Sequence, residues 1–380
     1  MNDMTTVPAT MRAAVLRAPG APLSVEEVPT PRPARDEVLV RVAACGVCHT
    51  DLHVMDGSIA FPTPAVPGHE VSGTVVALGP EAERYGFEVG MNVAGAFLMP
   101  CGRCEYCGRG RDDMCTVFYE RNRLKGQLFD GTSRLTDADG ATLAMYSMAG
   151  MAEYAVVPVT ALAPLPDGVD PVAGAILGCA ALTAYGAVRR AAELEFGETV
   201  AVVAVGGVGS NLVQLARVFG AREVIAVDVD DEKLAAAERL GATRTVNSRT
   251  VDARAAVLEA TGGRGVDVAF EVLGSPGTFA QAVSLLAAGG RMVPVGLGAA
   301  GSTAEVEINQ VVRRGLRIIG NYGARTRVDL PAVVDLAARG LLRYQEVVTR
   351  RFALAEVNDA YGALARGEIQ GRAVVTMGTA

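Results

Sequence analysis

The sequence predicts a mostly β domain interrupted by an inserted α/β domain with a doubly wound parallel sheet. Two different sequence patterns along the 380-residue chain predict this arrangement. Before about residue 165, short β-branched runs alternate with Gly and Pro, which is typical of strands joined by tight turns. From about residue 182 to residue 320, apolar strands alternate with helical segments, as in sheets that helices cover on both faces.

The first domain is predicted at residues 1–181 from four short runs, each rich in Val or Ala. The runs are MRAAVL from Met11, EVLVRVAACG from Glu37, VSGTVVALG from Val71 and EYAVVP from Glu153. We expect residues 321–380 to return to this domain, with a helix near Leu330–Arg339 and strands near 347–352 and 373–377. The α/β domain would then be an insertion.

The inserted domain is predicted at residues 182–320. Its strands are expected at residues 199–205, 223–228, 266–272, 291–297 and 316–320. A helix around Val208–Phe219 ends at Gly220, and a helix over DEKLAAAERLGA ends near Gly241, because glycine readily adopts the left-handed conformation that stops a helix. Strands that alternate with helices run parallel in one sheet.

Composition excludes several classes of function. The formal net charge is −7, and the basic residues form no stripe that would suit a nucleic-acid backbone. No apolar run approaches the roughly 18 residues that span a bilayer, and the first residues do not resemble a signal peptide. The seven cysteines, an odd number, argue against a disulfide framework. We therefore expect a cytoplasmic protein that binds neither nucleic acid nor membrane.

Four cysteines with the spacing C-x2-C-x2-C-x7-C predict a structural zinc site in a lobe at about residues 98–118. They are Cys101, Cys104, Cys107 and Cys115. Four clustered thiolates repel one another and need a soft cation, and an all-cysteine tetrahedral set leaves no position for a substrate. Unrelated thiols or two disulfides are the alternative, which a reducing compartment disfavours.

A dinucleotide-binding turn is predicted where the first strand of the inserted domain ends. Its binding residues are Gly206, Gly207, Val208 and Gly209. Glycines allow the tight turn and the close approach of a pyrophosphate, which the following helix N-terminus stabilises. Ala204 replaces the first glycine of G-x-G-x-x-G. Asp228, at the end of the next strand, would accept hydrogen bonds from the adenosine ribose and repel a 2′-phosphate, which favours NAD over NADP.

A second metal site is suggested by the histidines. All three, His49, His53 and His69, lie close in sequence to Cys48. One histidine and two cysteines with an open position form a catalytic zinc set. Cys45 and Cys179 are the candidates for the second cysteine, and spacing alone does not choose between them.

The motifs GVCHTDLH, PGHEVSG, the four-cysteine lobe and GCAALTAYGAV follow one another in this chain. In this order they resemble the zinc-dependent medium-chain alcohol dehydrogenases, and the similarity covers nearly the whole chain. The resemblance implies a GroES-like catalytic domain with an inserted Rossmann domain, two zinc ions per chain and a nicotinamide cofactor. It implies that Cys179, and not Cys45, completes the catalytic zinc set with Cys48 and His69.

The resemblance also implies roles for residues around this zinc. Glu70 corresponds to a carboxylate close to the metal, and Asp51 to the acid that orients the histidine ligand. Thr50 corresponds to the hydroxyl that takes the substrate proton, and His53 to the base that passes it to solvent. The remaining correspondences are a cofactor-phosphate contact for His49, the adenosine ribose for Lys233, the pyrophosphate for Arg372 and a wall of the substrate pocket for Phe97.

The implied reaction is reversible hydride transfer from an alcohol to NAD, which gives an aldehyde or ketone. Within the zinc family, oxidation of a polyol or of a thiol adduct of formaldehyde stays open, as do the physiological substrate and the preferred direction. A zinc-free quinone or enone reductase of the same superfamily is disfavoured, since such enzymes lack the Cys/His/Cys set. The long segment 116–150 resembles the dimeric branch of the family, so we expect a homodimer, with a homotetramer as the alternative.

Overall fold

The computed structural model describes residues 7–378, which divide into two compact units. Among the described residues, the first unit contains 7–182, Arg325–Arg339 and 344–378. The second unit contains Thr183–Ala324 and Gly340–Arg343. The second unit is therefore an insertion in the sequence of the first.

The first unit is rich in short strands. Ten precede the insertion: β1 (Thr10–Val15), β2 (Ser24–Pro29), β3 (Glu37–Val47), β4 (Ala65–Val66), β5 (Val71–Leu78), β6 (Asn92–Gly95), β7 (Leu135–Thr136), β8 (Thr142–Met145), β9 (Tyr154–Pro158) and β10 (Leu162–Pro164). The four runs predicted from the sequence are β1, β3, β5 and β9. The helices here are short: α1 (His49–Met55), α2 (Glu105–Gly108), α3 (Pro171–Gly174) and α4 (Ala180–Gly186).

The second unit contains a six-stranded parallel sheet: β11 (Thr199–Val203), β12 (Glu223–Asp228), β13 (Arg244–Asn247), β14 (Val266–Glu271), β15 (Leu286–Pro294) and β16 (Arg317–Ile318). Its spatial order is β13-β12-β11-β14-β15-β16, the order of a Rossmann sheet, so the predicted fold class is confirmed. The sequence did not predict β13, which has only four residues, two of them exposed.

The helices of this unit are α5 (Gly207–Val218), α6 (Asp231–Arg239), α7 (Ala253–Ala260), α8 (Pro276–Ser284) and α9 (Ile308–Arg314). The helices α5 and α6 lie where the sequence predicts helices. Every residue of β11 is buried, as expected for a central strand that is covered on both faces.

After the insertion the chain forms α10 (Thr326–Ala338), α11 (Tyr344–Val347), β17 (Val348–Ala353), α12 (Val357–Ala365) and β18 (Arg372–Thr376). The two strands complete a seven-stranded sheet of order β10-β6-β5-β3-β18-β17, in which β9 also pairs with β3. α10 begins at Thr326, before the predicted start near Leu330, and Pro331 lies inside it.

The boundaries between the units differ slightly from residues 181/182 and 320/321. Asn321 still belongs to the second unit, since its side-chain amide donates to the carbonyl of Thr183 (3.2 Å) and its backbone N–H donates to the carbonyl of Pro294 (3.2 Å). Residues 340–343 also group with the second unit. The N–H of Arg343 donates to Oε1 of Gln214 (2.8 Å), a long-range contact that no local sequence pattern predicts.

Each unit has its own apolar core. In the first unit the core surrounds β3 and β5 and includes Cys48 and Cys179. In the second unit it includes apolar side chains of β11, β12 and β14. No single helix within residues 7–378 has the length and apolar character needed to cross a bilayer, although the bent pair Pro171–Gly178 and Ala180–Ala191 meets that test by length and composition alone.

Candidate active site and metal centres

Two cysteines, a histidine and a glutamate converge in the first unit: Cys48, His69, Glu70 and Cys179. One ligand atom from each lies within 4.8 Å of the others, and all four residues are buried. Three separate stretches supply them, just before α1, β5 and α4. Cys45, the alternative left open by spacing, is buried but is not part of this group. The structure thus brings together the set that the resemblance implies.

The donor set suits a zinc ion. Zinc binds thiolate, imidazole and carboxylate, and three protein ligands leave a fourth position for a substrate. In the metal-free chain, a hydrogen bond between the two sulfurs lowers the pKa of Cys48 well below 9 and raises the pKa of Cys179 well above it. The two buried sulfurs thus form a hydrogen bond at a place where a bound cation would replace its proton.

Asp51 orients the imidazole of His69. Nδ1 of His69 lies 3.0 Å from Oδ1 of Asp51, and the N–H of Gly68 donates to the same oxygen (3.2 Å). Burial alone lowers the pKa of His69, but the negative charges of Asp51 and Cys48 outweigh it and raise this pKa to about 10. Because Nδ1 is occupied by the carboxylate, Nε2 is the nitrogen available to a metal.

Glu70 forms a buried ion pair with Arg372. The guanidinium donates to Oε1 of Glu70 (2.6 Å) and lies 3.6 Å from the sulfur of Cys48. Burial raises the pKa of Glu70 to about 7, against the opposing effect of the Arg372 charge. Gly46 makes room for this carboxylate, since a Cβ at that position would lie 2.0 Å from Oε2 of Glu70. The pyrophosphate contact of Arg372 stays a prediction.

The relay residues lie on α1. Oγ1 of Thr50 is 3.7 Å from the sulfur of Cys48, and His53 follows on the same helix at a spacing of three residues, which places both side chains on one face. Cys48 is the N-cap residue of α1, so Thr50 is not a helix cap. His49 is exposed in the first turn. The proton relay and the cofactor contact of His49 stay predictions.

Aromatic side chains lie beside His69. The ring centres of Phe97 and Tyr146 are 6.1 and 5.9 Å from that of His69, and the guanidinium of Arg123 lies 4.4 Å from the centre of the Tyr146 ring. The pocket role of Phe97 stays a prediction. Sequence reasoning missed both Tyr146 and Arg123. Arg123 ends a π-helical turn (Phe118–Arg123), which a search for 3.6-residue periodicity does not detect.

The four lobe cysteines also converge, with their sulfurs within 4.8 Å of one another. All seven cysteines of the chain are free thiols, so the disulfide alternative is wrong for this structure. Backbone N–H groups donate hydrogen bonds to these sulfurs. The N–H of Cys104 donates to Sγ of Cys101 (3.3 Å), and the N–H of Phe118 donates to Sγ of Cys115 (3.4 Å). Such donors stabilise thiolates, which suits a closed zinc site.

A salt bridge fastens this lobe to α10. The guanidinium of Arg327 binds both carboxylate oxygens of Asp112, at 2.7 and 3.1 Å, and also donates to the carbonyl of Cys107 (2.8 Å). Asp112 is buried, whereas Arg327 is partly exposed. The lobe is therefore anchored by a residue more than two hundred positions away, a pairing that spacing does not predict.

The glycine turn connects β11 to α5 in the second unit. Ala204 has φ of +73°, the left-handed conformation that glycine adopts more easily, so the replacement costs about 1 kcal/mol. A Cβ at position 209 would lie 2.2 Å from the carbonyl oxygen of Ala204, which explains why the last residue of the turn is a glycine.

Asp228 ends β12, and its carboxylate accepts from the N–H groups of Val205 (2.8 Å) and Val229 (2.7 Å). Lys233 is half-buried in the first turn of α6, and its ribose contact stays a prediction.

Comparisons with known proteins identify the family of this chain. Residues 34–167 match the alcohol dehydrogenase GroES-like domain, and residues 207–339 match the zinc-binding dehydrogenase domain. An alcohol dehydrogenase of Geobacillus stearothermophilus is 34% identical over 371 residues, which cover 97% of this chain and 99% of the relative. This chain belongs to the zinc-dependent medium-chain alcohol dehydrogenase family.

Other proteins are similar over comparable lengths. The S-(hydroxymethyl)glutathione dehydrogenase of Escherichia coli O1:K1 is 32% identical, over 94% of this chain and 97% of the relative. The crystal structure of benzyl alcohol dehydrogenase from Acinetobacter calcoaceticus has a TM-score of 0.89 and 31% identity, over 97% and 99% of the two chains. An NADP-bound zinc-binding dehydrogenase structure from Sinorhizobium meliloti 1021 has a TM-score of 0.81 and 30% identity, over 97% and 100%.

Proposed function

We propose that this family member reversibly oxidises an alcohol to an aldehyde or ketone with NAD, and that it holds two zinc ions. The observation that carries the proposal is the buried convergence of Cys48, His69 and Cys179, with Glu70 beside them. Zinc held by the two cysteines and the histidine would supply the Lewis acidity that lowers the pKa of a substrate hydroxyl. NAD would supply the hydride acceptor.

The side chains of α1 would handle the proton. Thr50 is adjacent to Cys48, so its hydroxyl is placed to accept the proton of a substrate alcohol and to hold its oxygen. His53 lies one turn further along α1 and is partly exposed, so it would pass the proton to solvent. Asp51 does not take part in this proton transfer. It would hold His69 in the tautomer that a metal requires.

The preference for NAD rests on Asp228. Its carboxylate lies at the end of β12 and would repel a 2′-phosphate. The test is Asp228→Asn, which removes the charge and keeps one of the two oxygens that accept from the backbone N–H groups of Val205 and Val229. We expect the ratio of kcat/KM for NAD over NADP to fall about tenfold, the equivalent of about 1.4 kcal/mol. If the unsubstituted protein prefers NADP, the role given to Asp228 is wrong.

Aromatic side chains beside His69 favour an alcohol that carries an apolar group, as the benzyl alcohol dehydrogenase similarity also suggests. The second candidate substrate is a thiol adduct of formaldehyde, because of the similarity to S-(hydroxymethyl)glutathione dehydrogenase.

A substrate panel scored by NADH formation tests both candidates. The panel contains benzyl alcohol, a short aliphatic alcohol, a polyol, and glutathione with formaldehyde, and protein stripped of zinc is the control. We expect the highest kcat/KM for benzyl alcohol and no turnover without zinc. A preference for the glutathione adduct would support the second candidate. No turnover of any compound by protein with two zinc ions would contradict the proposal.

We also propose that two copies pair through the second unit. Both residues of β16, the edge strand of its sheet, are exposed, and the adjacent α9 exposes Ile308 (77%) and Val312 (72%). An unpaired edge beside apolar side chains suits a two-fold contact. Light scattering near neutral pH should show a dimer for the unsubstituted protein and a monomer for the double variant that carries Ile308→Asp and Val312→Asp. A tetramer would contradict the dimer.

A further inference from the structure

Several buried polar atoms around the candidate metal set have no hydrogen-bond partner within residues 7–378, among them Oδ2 of Asp51 and the hydroxyl of Tyr361. Asp51 is fully buried and uses its other oxygen for His69 and Gly68. Tyr361 is 1% exposed and lies on α12, which packs against α1, the helix that carries Asp51. Burial raises the pKa of Tyr361 well above 10, and the neighbouring Asp51 carboxylate raises it further, so the phenol keeps its proton.

We propose that the Tyr361 hydroxyl donates a hydrogen bond to Oδ2 of Asp51 and thereby acts as a positioning residue for His69. Leaving a buried carboxylate oxygen and a buried hydroxyl unpaired beside each other is unfavourable for both groups. The two groups lie close enough for a side-chain hydrogen bond with Asp51 to raise the pKa of Tyr361, so pairing them satisfies both at once. The inference rests on the catalytic zinc of the proposed function, but not on the identity of the substrate.

The hydrogen bond would fix the carboxylate of Asp51 at both oxygens. With Oδ2 held by Tyr361, the carboxylate plane does not rotate, and Oδ1 stays directed at Nδ1 of His69. The imidazole then keeps Nε2 available to the metal, because the orientation of a histidine ligand is set by the partner of its other nitrogen. Tyr361 touches neither the metal set nor a substrate in this scheme. Its effect passes through Asp51.

Tyr361→Phe tests the inference, since it keeps the ring and removes only the hydroxyl. We expect loss of the catalytic zinc to a chelator to accelerate about three- to tenfold, less than the roughly 10- to 100-fold typical for direct partners of a metal ligand. Loss of the lobe zinc should be unchanged. In protein with cobalt at the catalytic site, the visible absorption bands should shift, which reports altered ligand geometry without any turnover.

Two controls separate positioning from packing. Tyr344 is also buried, and its hydroxyl accepts from the N–H of Asp170 (2.8 Å), so Tyr344→Phe should lower the melting temperature without changing zinc loss. In an Asp51→Asn background, Tyr361→Phe should add little, because the two changes remove one shared interaction.

Several outcomes would overturn the inference. They are unchanged zinc loss and cobalt spectra in folded Tyr361→Phe, an equal effect of Tyr361→Phe in the Asp51→Asn background, or a higher melting temperature, which removal of an unpaired hydroxyl would produce. A parent protein that binds only one zinc would instead contradict the catalytic site of the proposed function. The two failures are therefore distinguishable by counting zinc in the parent.

Discussion

The two candidate metal centres of the first unit differ in how the chain supplies their ligands. The lobe takes all four cysteines from residues 101–115, and two of them are partly exposed. The other centre takes its ligands from three distant stretches, and every one is buried beside charged partners such as Asp51 and Arg372. A local set can close around an ion with little help from the rest of the fold. A set assembled from distant strands and helices can instead be tuned by the groups packed around it.

Removal of one ligand from each centre should give the largest contrast. Cys48→Ser should lower kcat/KM by at least about 10³-fold, because the metal's Lewis acidity contributes several kcal/mol, and should reduce zinc from two to one per chain. Cys104→Ser should also remove one zinc, but should lower the melting temperature more than the turnover of the protein that stays folded. Elemental analysis, kinetics and melting on the same preparations decide the matter. A parent value near one zinc, unchanged by Cys48→Ser, would eliminate the buried centre.

The hydroxyl of Thr50 belongs only to the buried centre. Thr50→Ala should lower turnover by about 10²–10³-fold, within the range of positioned acid–base groups, while Thr50→Ser should be nearly silent. His53→Gln should cost less, about tenfold to a hundredfold and mainly at lower pH, because water partly substitutes for a base. Since Thr50 is not the cap of α1, the melting temperature of Thr50→Ala should change little. Full activity per folded molecule would refute the relay.

Protons should compete with zinc at the buried centre. Without a metal, the pKa of His69 is raised to about 10 and that of Cys179 is raised well above 9, whereas the pKa of Cys48 is lowered. A metal would have to displace the protons held by its ligands, so zinc affinity should rise with pH near neutrality and fall as the solution becomes acidic. Calorimetry in buffers of different ionisation enthalpy counts the protons. Release of none would show that the ligands are already deprotonated.

The anchor of the lobe should have the smallest effect. Arg327→Met removes the guanidinium from the buried Asp112, which keeps only the backbone N–H of residue 327 (2.9 Å), and should lower stability by about 2 kcal/mol, less than for a fully buried pair because Arg327 is partly exposed. Arg109→Met is the matched control, since its pair with Glu105 is exposed and contributes roughly 0.3–0.5 kcal/mol. Chemical denaturation of both variants measures the difference. Equal losses would mean that Asp112 does not fasten the lobe.

The same contrast explains what could be predicted from the sequence. The lobe was predicted from spacing alone, and the parallel sheet was predicted from apolar runs, because both depend on neighbouring residues. Cys179 was chosen over Cys45 only through family resemblance, since sequence separation says nothing about which sulfur approaches His69. Tyr361 was missed for the same reason. A tyrosine on a C-terminal helix carries no local signal that it faces Asp51.

Gly46 also has a consequence for how this sequence can vary. A methyl group there would lie 2.0 Å from Oε2 and 2.8 Å from Cβ of Glu70, so a shorter side chain at position 70 would not by itself relieve the overlap. Any residue larger than glycine at position 46 therefore has to displace the segment before β5 that carries Glu70, and with it the carboxylate that faces Arg372. Gly46→Ala should thus disturb the buried centre although Gly46 supplies no side chain to it.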